Sequence, residues 1–195
     1  MKPEYIMKDT WLLTAFLVAA AFLLLLNSCS GEKKEAIRIG DTVTTFSAPD
    51  LNGKNISLNS LRGSPVILRF FLVDCPYCRA DTPVFNEFYK DYRSKGLEIV
   101  YINNDAKNVA EVVDFTRELN IDFPVIYDPK GKIARQYNVR LQPLTLVLSP
   151  EQKLLGALLG GVSEAELNLF RKALVRNKER QGLFATVKSG KGEVG

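Results

Sequence analysis

An α/β fold, with a sheet flanked by helices, is what this 195-residue chain predicts, and three observations predict it. Short apolar runs of strand length alternate with longer stretches of helical spacing, as βαβ units require. Turn residues such as Asn52-Gly53 and Asp128-Pro129-Lys130-Gly131 punctuate the alternation. Two cysteines, Cys75 and Cys78, stand at one strand-to-helix junction, so the strongest chemical signal falls on a defined place in the fold.

The elements follow in order. Trp11 to Leu26 is a run of sixteen mostly apolar residues ending in Leu26-Asn27-Ser28-Cys29. It is short for a spanning helix of ~20 residues and close to the upper length of a signal h-region. Leu-Asn-Ser-Cys resembles a bacterial lipobox, although Asn27 is an unusual occupant of its position. Residues 1–28 are therefore a lipoprotein-type signal peptide, with Cys29 the lipidated residue, or an uncleaved membrane anchor; a buried helix is the third option. Basic residues on both sides of the run leave orientation open. Residues 29–37 form a charged tether, 38–178 the folded domain, and 179–195 a basic flexible tail.

Within the domain, Asn52-Gly53 is a hairpin turn between segments containing Phe46 and Ile56. Val66 to Leu72 is the central strand, and the helix after it runs to about Tyr92. Phe85, Phe88, Tyr89 and Tyr92 recur there at helical spacing and belong to the core. Pro83 removes one backbone hydrogen bond and is expected to kink that helix. Leu97 to Ile102 is a strand, and Ala106 to Leu119 an amphipathic helix with Val109, Val112, Val113 and Phe115 inward. A strand at Val125 to Tyr127 follows, then a hairpin of Leu144 to Leu148 with Leu154 to Leu158 around Pro150-Glu151. Ser163 and Glu166 make a capping box for a last helix reaching about Val175.

The formal net charge is +4. Arg176 to Gly195 holds five basic and two acidic residues, a surplus of three, so the folded body is nearly neutral and a nucleic-acid partner is not expected. With no histidine in the chain, a Ser-His or Cys-His mechanism is excluded. The same absence, with only one other cysteine, leaves Cys75 and Cys78 short of the four ligands of a structural zinc, and no metal or other cofactor is expected. A permanently closed disulfide across so small a loop would contribute little stability. Redox cycling is the reading that this strand-to-helix setting favours. Cys75 is placed as N-cap with Pro76 at N1, where free N–H groups and the helix dipole favour a thiolate below the usual pKa of ~8.5. Cys78, one turn on, lies on the same face, shielded and within disulfide reach. Asp81, a further turn on, is placed to accept the Cys78 proton, or is an ordinary acid of the first two helical turns.

Residues 38 to 175 resemble the thioredoxin-like fold, and more closely its membrane-tethered TlpA/ResA branch, which shares an N-terminal stretch with the AhpC/TSA redoxins. The resemblance is carried in sequence by Ile39-Gly40-Asp41, Phe46 to Lys54, Leu58 to Gly63, Phe70 to Pro83, Phe123 to Asp128 and Tyr137 to Pro143. It implies a central mixed sheet with an N-terminal hairpin extension and a central βα insertion. It places the family's signature proline at Pro143, with a cis Gln142–Pro143 bond facing the dithiol. Pro76, Tyr77, Gln142 and Pro143 are then the substrate-contacting set, and Asp81 stands where the family has a buried Glu. Asp74 replaces the family's aromatic residue before the first cysteine; its charge opposes thiolate formation and tunes the couple toward reduction, or is simply solvated. Leu141 replaces a glycine beside the proline.

The resemblance further implies a thiol:disulfide oxidoreductase of the cell envelope, facing the extracytoplasmic side. Its expected substrates are disulfide-containing exported proteins, with apocytochrome c first among them. A membrane thiol protein would be its electron donor, and a lipid anchor would hold it at the membrane. Two other readings stand beside it: a redoxin-type peroxidase, which places a threonine where this chain has Leu72, and a non-catalytic docking module of the same fold.

Overall fold

Branched and aromatic side chains at alternate positions give the strands of this chain two buried faces, and the domain is layered accordingly. The computed structural model of the protein describes residues 17–18 and 37–171. Two units are distinguished, Met1–Glu35 and Ala36–Gly195. Of the first, only Leu17 and Val18 are described, both helical and exposed. Cys29, nearly all of the apolar run, the basic tail and the end of the last helix lie outside the described residues. Among the described residues no helix is long and apolar enough to cross a membrane.

The hairpin expected at Asn52-Gly53 is formed by β1 (Ser47–Pro49) and β2 (Asn55–Ser57), antiparallel with Ala48 opposite Ile56. Gly53 takes a φ of 78°, and the Asp50 carboxylate accepts from the N–H groups of Asn52 and Lys54, so the turn closes on its own side chain. β3 (Val66–Phe71), β4 (Glu98–Asn103), β5 (Val125–Tyr127), β6 (Leu144–Leu148) and β7 (Leu154–Leu159) make one mixed sheet in the order β5-β4-β3-β6-β7. β3 runs parallel to β4 and antiparallel to β6. The crossover from β3 to β4 is helix α1 (Pro76–Tyr92), and that from β4 to the parallel edge strand β5 is α2 (Val109–Glu118). A short α3 (Lys132–Gln136) precedes β6, and residues 164–171 form the described part of α4.

Ile67, Phe71, Ile99 and Tyr101 on one sheet face pack with Phe85 and Phe88 of α1, Phe115 of α2 and Leu167 of α4. Leu68, Phe70, Val100 and Ile102 on the other pack with Phe46, Ile56 and Leu58 of the N-terminal extension and with Ile133 and Tyr137 at α3. The sheet is thus covered on both sides, and β3, buried at every residue, is its centre.

Three details differ from the sequence expectation. α2 starts at Val109, not Ala106, because the Asn108 side chain caps it, accepting from the N–H groups of Ala110 and Glu111. Val109, in the first turn, is consequently exposed and not part of the core. α3 was not expected from periodicity; five residues are too few to show one, and the helix is held by the Asp128 carboxylate, which accepts from the N–H groups of Lys132, Ile133 and Ala134. α1 continues as one helix through Pro83. The capping box at Ser163 is formed in both directions: the Ser163 N–H donates to Glu166 Oε2 at 2.8 Å, and the Glu166 N–H to Ser163 Oγ at 3.3 Å.

Candidate active site

Cys75 adopts extended backbone (φ −82°, ψ 118°) and caps α1, with Pro76 in the first turn, where a missing N–H removes no helical bond. The N–H of Cys78 donates to Cys75 Sγ at 3.4 Å. Cys75 is 9% exposed and Cys78 fully buried, so what solvent access the pair has is at Cys75. Both thiols are free. Burial pushes the Cys78 thiol up to about 12, with the nearby positive charge of Arg69 pulling the other way. Cys78 is therefore a protonated thiol at neutral pH and must lose a proton before it can act as a nucleophile.

Arg69 lies at the centre of β3 with no exposed surface. Register sets it opposite Tyr101 on β4 and Thr145 on β6, and its side chain projects beneath α1. One guanidinium nitrogen donates to Thr145 Oγ1 at 2.6 Å and the other to Asp81 Oδ2 at 2.5 Å. The same Oδ2 accepts from the Val162 N–H at 2.9 Å, while Oδ1, also buried, accepts no hydrogen bond. The guanidinium stacks 4.8 Å from the centre of the Phe85 ring. Burial raises the Asp81 carboxyl to about 6, with Arg69 and the Val162 N–H holding it back from rising further. Near neutrality the group is well placed to exchange protons. Asp81 makes no hydrogen bond to Cys78; the charge that bears on both is Arg69.

The Gln142–Pro143 bond is cis. The Gln142 side chain donates to Asn104 Oδ1 at 2.7 Å, tying the proline loop to the end of β4. Tyr77 and Leu141 are exposed apolar side chains, and Gly161 comes close to both Tyr77 and Asp81: a Cβ there would lie 3.3 Å from the Tyr77 ring and 3.9 Å from Asp81 Oδ2. Asp74 is exposed. Its charge adds to the burial that holds the Asp105 carboxyl up. Among the described residues no cluster of side chains could hold a metal ion.

The expected dithiol, Asp81 and the cis proline are thus on one framework, since β3 leads into Cys75 and β6 leads out of Pro143. Sequence reasoning missed Arg69, Thr145 and the Val162 N–H. The signal for Arg69 was present: a single cation inside the run Val66 to Val73, which is otherwise apolar.

Residues 39–156 match the AhpC/TSA family. The thiol-disulfide oxidoreductase ResA of Bacillus subtilis (strain 168) is 31% identical over 149 residues, 76% of this chain and 82% of that protein. A thiol:disulfide interchange protein of the thioredoxin family from Chlorobium tepidum superposes with a TM-score of 0.63 at 25% identity, covering 71% of this chain and 99% of that one. A secreted disulfide oxidoreductase of Mycobacterium tuberculosis does so with a TM-score of 0.57 at 26% identity, covering 63% of this chain and 90% of that one. Fold, dithiol and matched length agree, and the chain belongs to the AhpC/TSA family as a thioredoxin-like thiol-disulfide oxidoreductase.

Proposed function

We propose that the protein reduces disulfides of exported proteins at the cell envelope, through Cys75 as nucleophile and Cys78 as resolving thiol. The observation that carries the reading is the asymmetry of the pair: one cysteine caps α1 and keeps some solvent exposure, the other is fully buried one turn on. The Cys75 thiolate attacks one sulfur of the substrate disulfide, the substrate S–S bond breaks, and its second sulfur leaves as a thiolate that takes up a proton. Cys78 then loses its proton, with Asp81 as acceptor, and attacks Cys75 Sγ. The Cys75–substrate bond breaks, the second substrate thiol departs, and two electrons have passed from enzyme to substrate, leaving a Cys75–Cys78 disulfide. A membrane thiol protein regenerates the dithiol by the reverse exchange.

Tyr77, Pro76, Gln142 and Pro143 are assigned to substrate contact, a reading supported by the exposure of Tyr77 and of Leu141 beside Gln142 and by the cis bond at Pro143. Asp74 is assigned to redox tuning, by its charge next to Cys75. Envelope placement is supported by the lipobox-like Leu26-Asn27-Ser28-Cys29 and by the secreted relative. Apocytochrome c haem-site cysteines are the substrate class first to be tried. The peroxidase alternative lacks the hydroxyl that it would need, since Leu72 occupies that position.

Substitution Cys78→Ser tests the reading. Attack still occurs in this variant but resolution does not, so mixed disulfides through Cys75 should accumulate in cells and be identified by mass spectrometry. Cys75→Ser should trap none. Equal trapping by both variants, or by neither, would remove the assigned roles.

A further inference from the structure

A guanidinium at the centre of a fully buried strand is costly to desolvate, and a buried ion pair is a weak device for stability, since apolar residues of similar volume serve at least as well. Folding alone therefore does not account for Arg69. Its contacts connect the parts of the site. It donates to Thr145, two residues after the cis proline, and to Asp81, one turn beyond Cys78, and through Asp81 it reaches the Val162 N–H in the loop before α4. The groups facing Cys78 and this pair are few: Cys75 from the helix start, the Tyr101 hydroxyl 3.4 Å from Thr82 Oγ1, Asp81 and Arg69. Of these, Arg69 is the cation.

We propose that Arg69 is the positioning residue of the resolving step, fixing the Asp81 carboxylate by Oδ2 and supplying the permanent positive charge that the Cys78 sulfur meets when its proton leaves. This rests on the reading of Cys78 as the resolving thiol. The step is one of balanced charge. The Cys78 S–H becomes a thiolate and a proton; the proton passes to Asp81, directly or through water, and the thiolate forms the bond to Cys75 as the Cys75–substrate bond breaks. Asp81 loses its negative charge as Cys78 gains one, so the guanidinium, which cannot release its own proton at any working pH, stays opposite one anion through the proton transfer; bond formation then carries the negative charge away on the departing substrate sulfur, which takes a proton as Asp81 returns to the carboxylate. Two features of the geometry fit this use. Oδ2 is held from two sides, which orients the carboxyl, and Oδ1 is left in the interior with a free lone pair. Thr145 and the Phe85 ring hold the guanidinium itself, so its charge does not depend on the state of Asp81 for its position.

The test separates this from a structural role by the sign of its effects. In full-length protein carrying Cys75→Ser, the alkylation rate of Cys78 at a fixed alkaline pH reports its thiolate fraction. Asp81→Asn leaves the Arg69 charge unneutralised and should raise that rate about tenfold, whereas adding Arg69→Gln to Asp81→Asn, which leaves a neutral hydrogen-bonding pair, should lower it at least tenfold below the single variant. A structural role would move both in the same direction. In the Cys75-containing protein, rapid mixing with a disulfide substrate should show that Arg69→Gln forms the mixed disulfide within about twofold of the natural rate and resolves it at least tenfold more slowly. Arg69→Lys, which keeps the charge, should recover part of the resolution rate. Alkylation of Cys78 that does not differ between Asp81→Asn and the double variant, in proteins with unchanged circular dichroism, would overturn the role of Arg69. Failure of the natural protein to form any mixed disulfide through Cys75 would instead overturn the underlying function.

Discussion

Asp81 and Cys78 show how far one residue's surroundings can move its chemistry, and the movement is measurable as stability. Burial holds the Asp81 carboxyl at about 6 in the folded chain against an ordinary 3.8. The folded state binds that proton more tightly than the unfolded one, so the group contributes stability below about pH 4, and the contribution is lost as pH rises through 6. The gap between 3.8 and about 6 corresponds to about 3 kcal/mol. Asp81→Asn cannot titrate in this window, so its stability should improve relative to the natural protein by up to about that amount between pH 4 and pH 7, as followed by urea denaturation. A difference that stays constant with pH would mean that the carboxyl is not held up. At this scale the sequence was informative where chemistry is written in residue type and spacing. Cys75 and Cys78 could be named from it, and the structure gives Cys75 its N-cap and Cys78 its burial; Pro143 and its cis bond, which the structure also has, were expected from the family resemblance. The burial of Asp81 was legible only through a family resemblance. Its partner Arg69 comes from another element, twelve residues earlier, and no local pattern joins the two.

Elements were legible in proportion to their length. α1, with seventeen residues and a dithiol at its start, was anticipated at both ends, while α2 was overextended by three residues at its beginning. The reason is a competition between hydrophobic spacing and capping. Ala106 and Val109 continue an apolar pattern, but Asn108 in extended backbone offers its side-chain oxygen to two N–H groups and starts the helix there. Asn108→Ala should therefore cost about 1 kcal/mol of stability. Because the cap touches neither cysteine nor the Arg69 pair, thermal melting should fall by a few degrees while disulfide reduction at 25 °C is unchanged; a loss of activity matching the loss of stability would show that α2 is coupled to the site. α3 escaped notice for the opposite reason: its capping group, Asp128, lies outside it, in a segment that shows only turn composition.

For the whole molecule, the anchoring expected from the N-terminal sequence is a matter of covalent chemistry that composition alone can suggest. If Leu26-Asn27-Ser28-Cys29 acts as a lipobox, mass spectrometry of membrane-extracted protein should find a diacylglyceryl group on Cys29 as the first residue. An intact Met1 in the mature protein would rule that out. The sheet architecture, in contrast, was readable as alternation, and its handedness of assembly follows from general rules of connection. One consequence of that architecture concerns the end of the sheet away from the sulfurs. Because β3 and β6 are antiparallel, with Val66 opposite Leu148, the turn at Pro150-Glu151 closes the edge where β3 begins, and the Gly63 N–H donates to the Pro150 carbonyl there. Six residues of β3 separate this edge from the one that leads to Cys75, roughly 20 Å at the usual rise per residue. That is more than twice the distance over which dissolved salt at physiological strength damps a surface charge, about 8 Å. A charged label or solubilising group attached at this turn should therefore shift the redox couple little at physiological salt, and more as the salt is lowered, because the buried part of the path is screened less than the solvent.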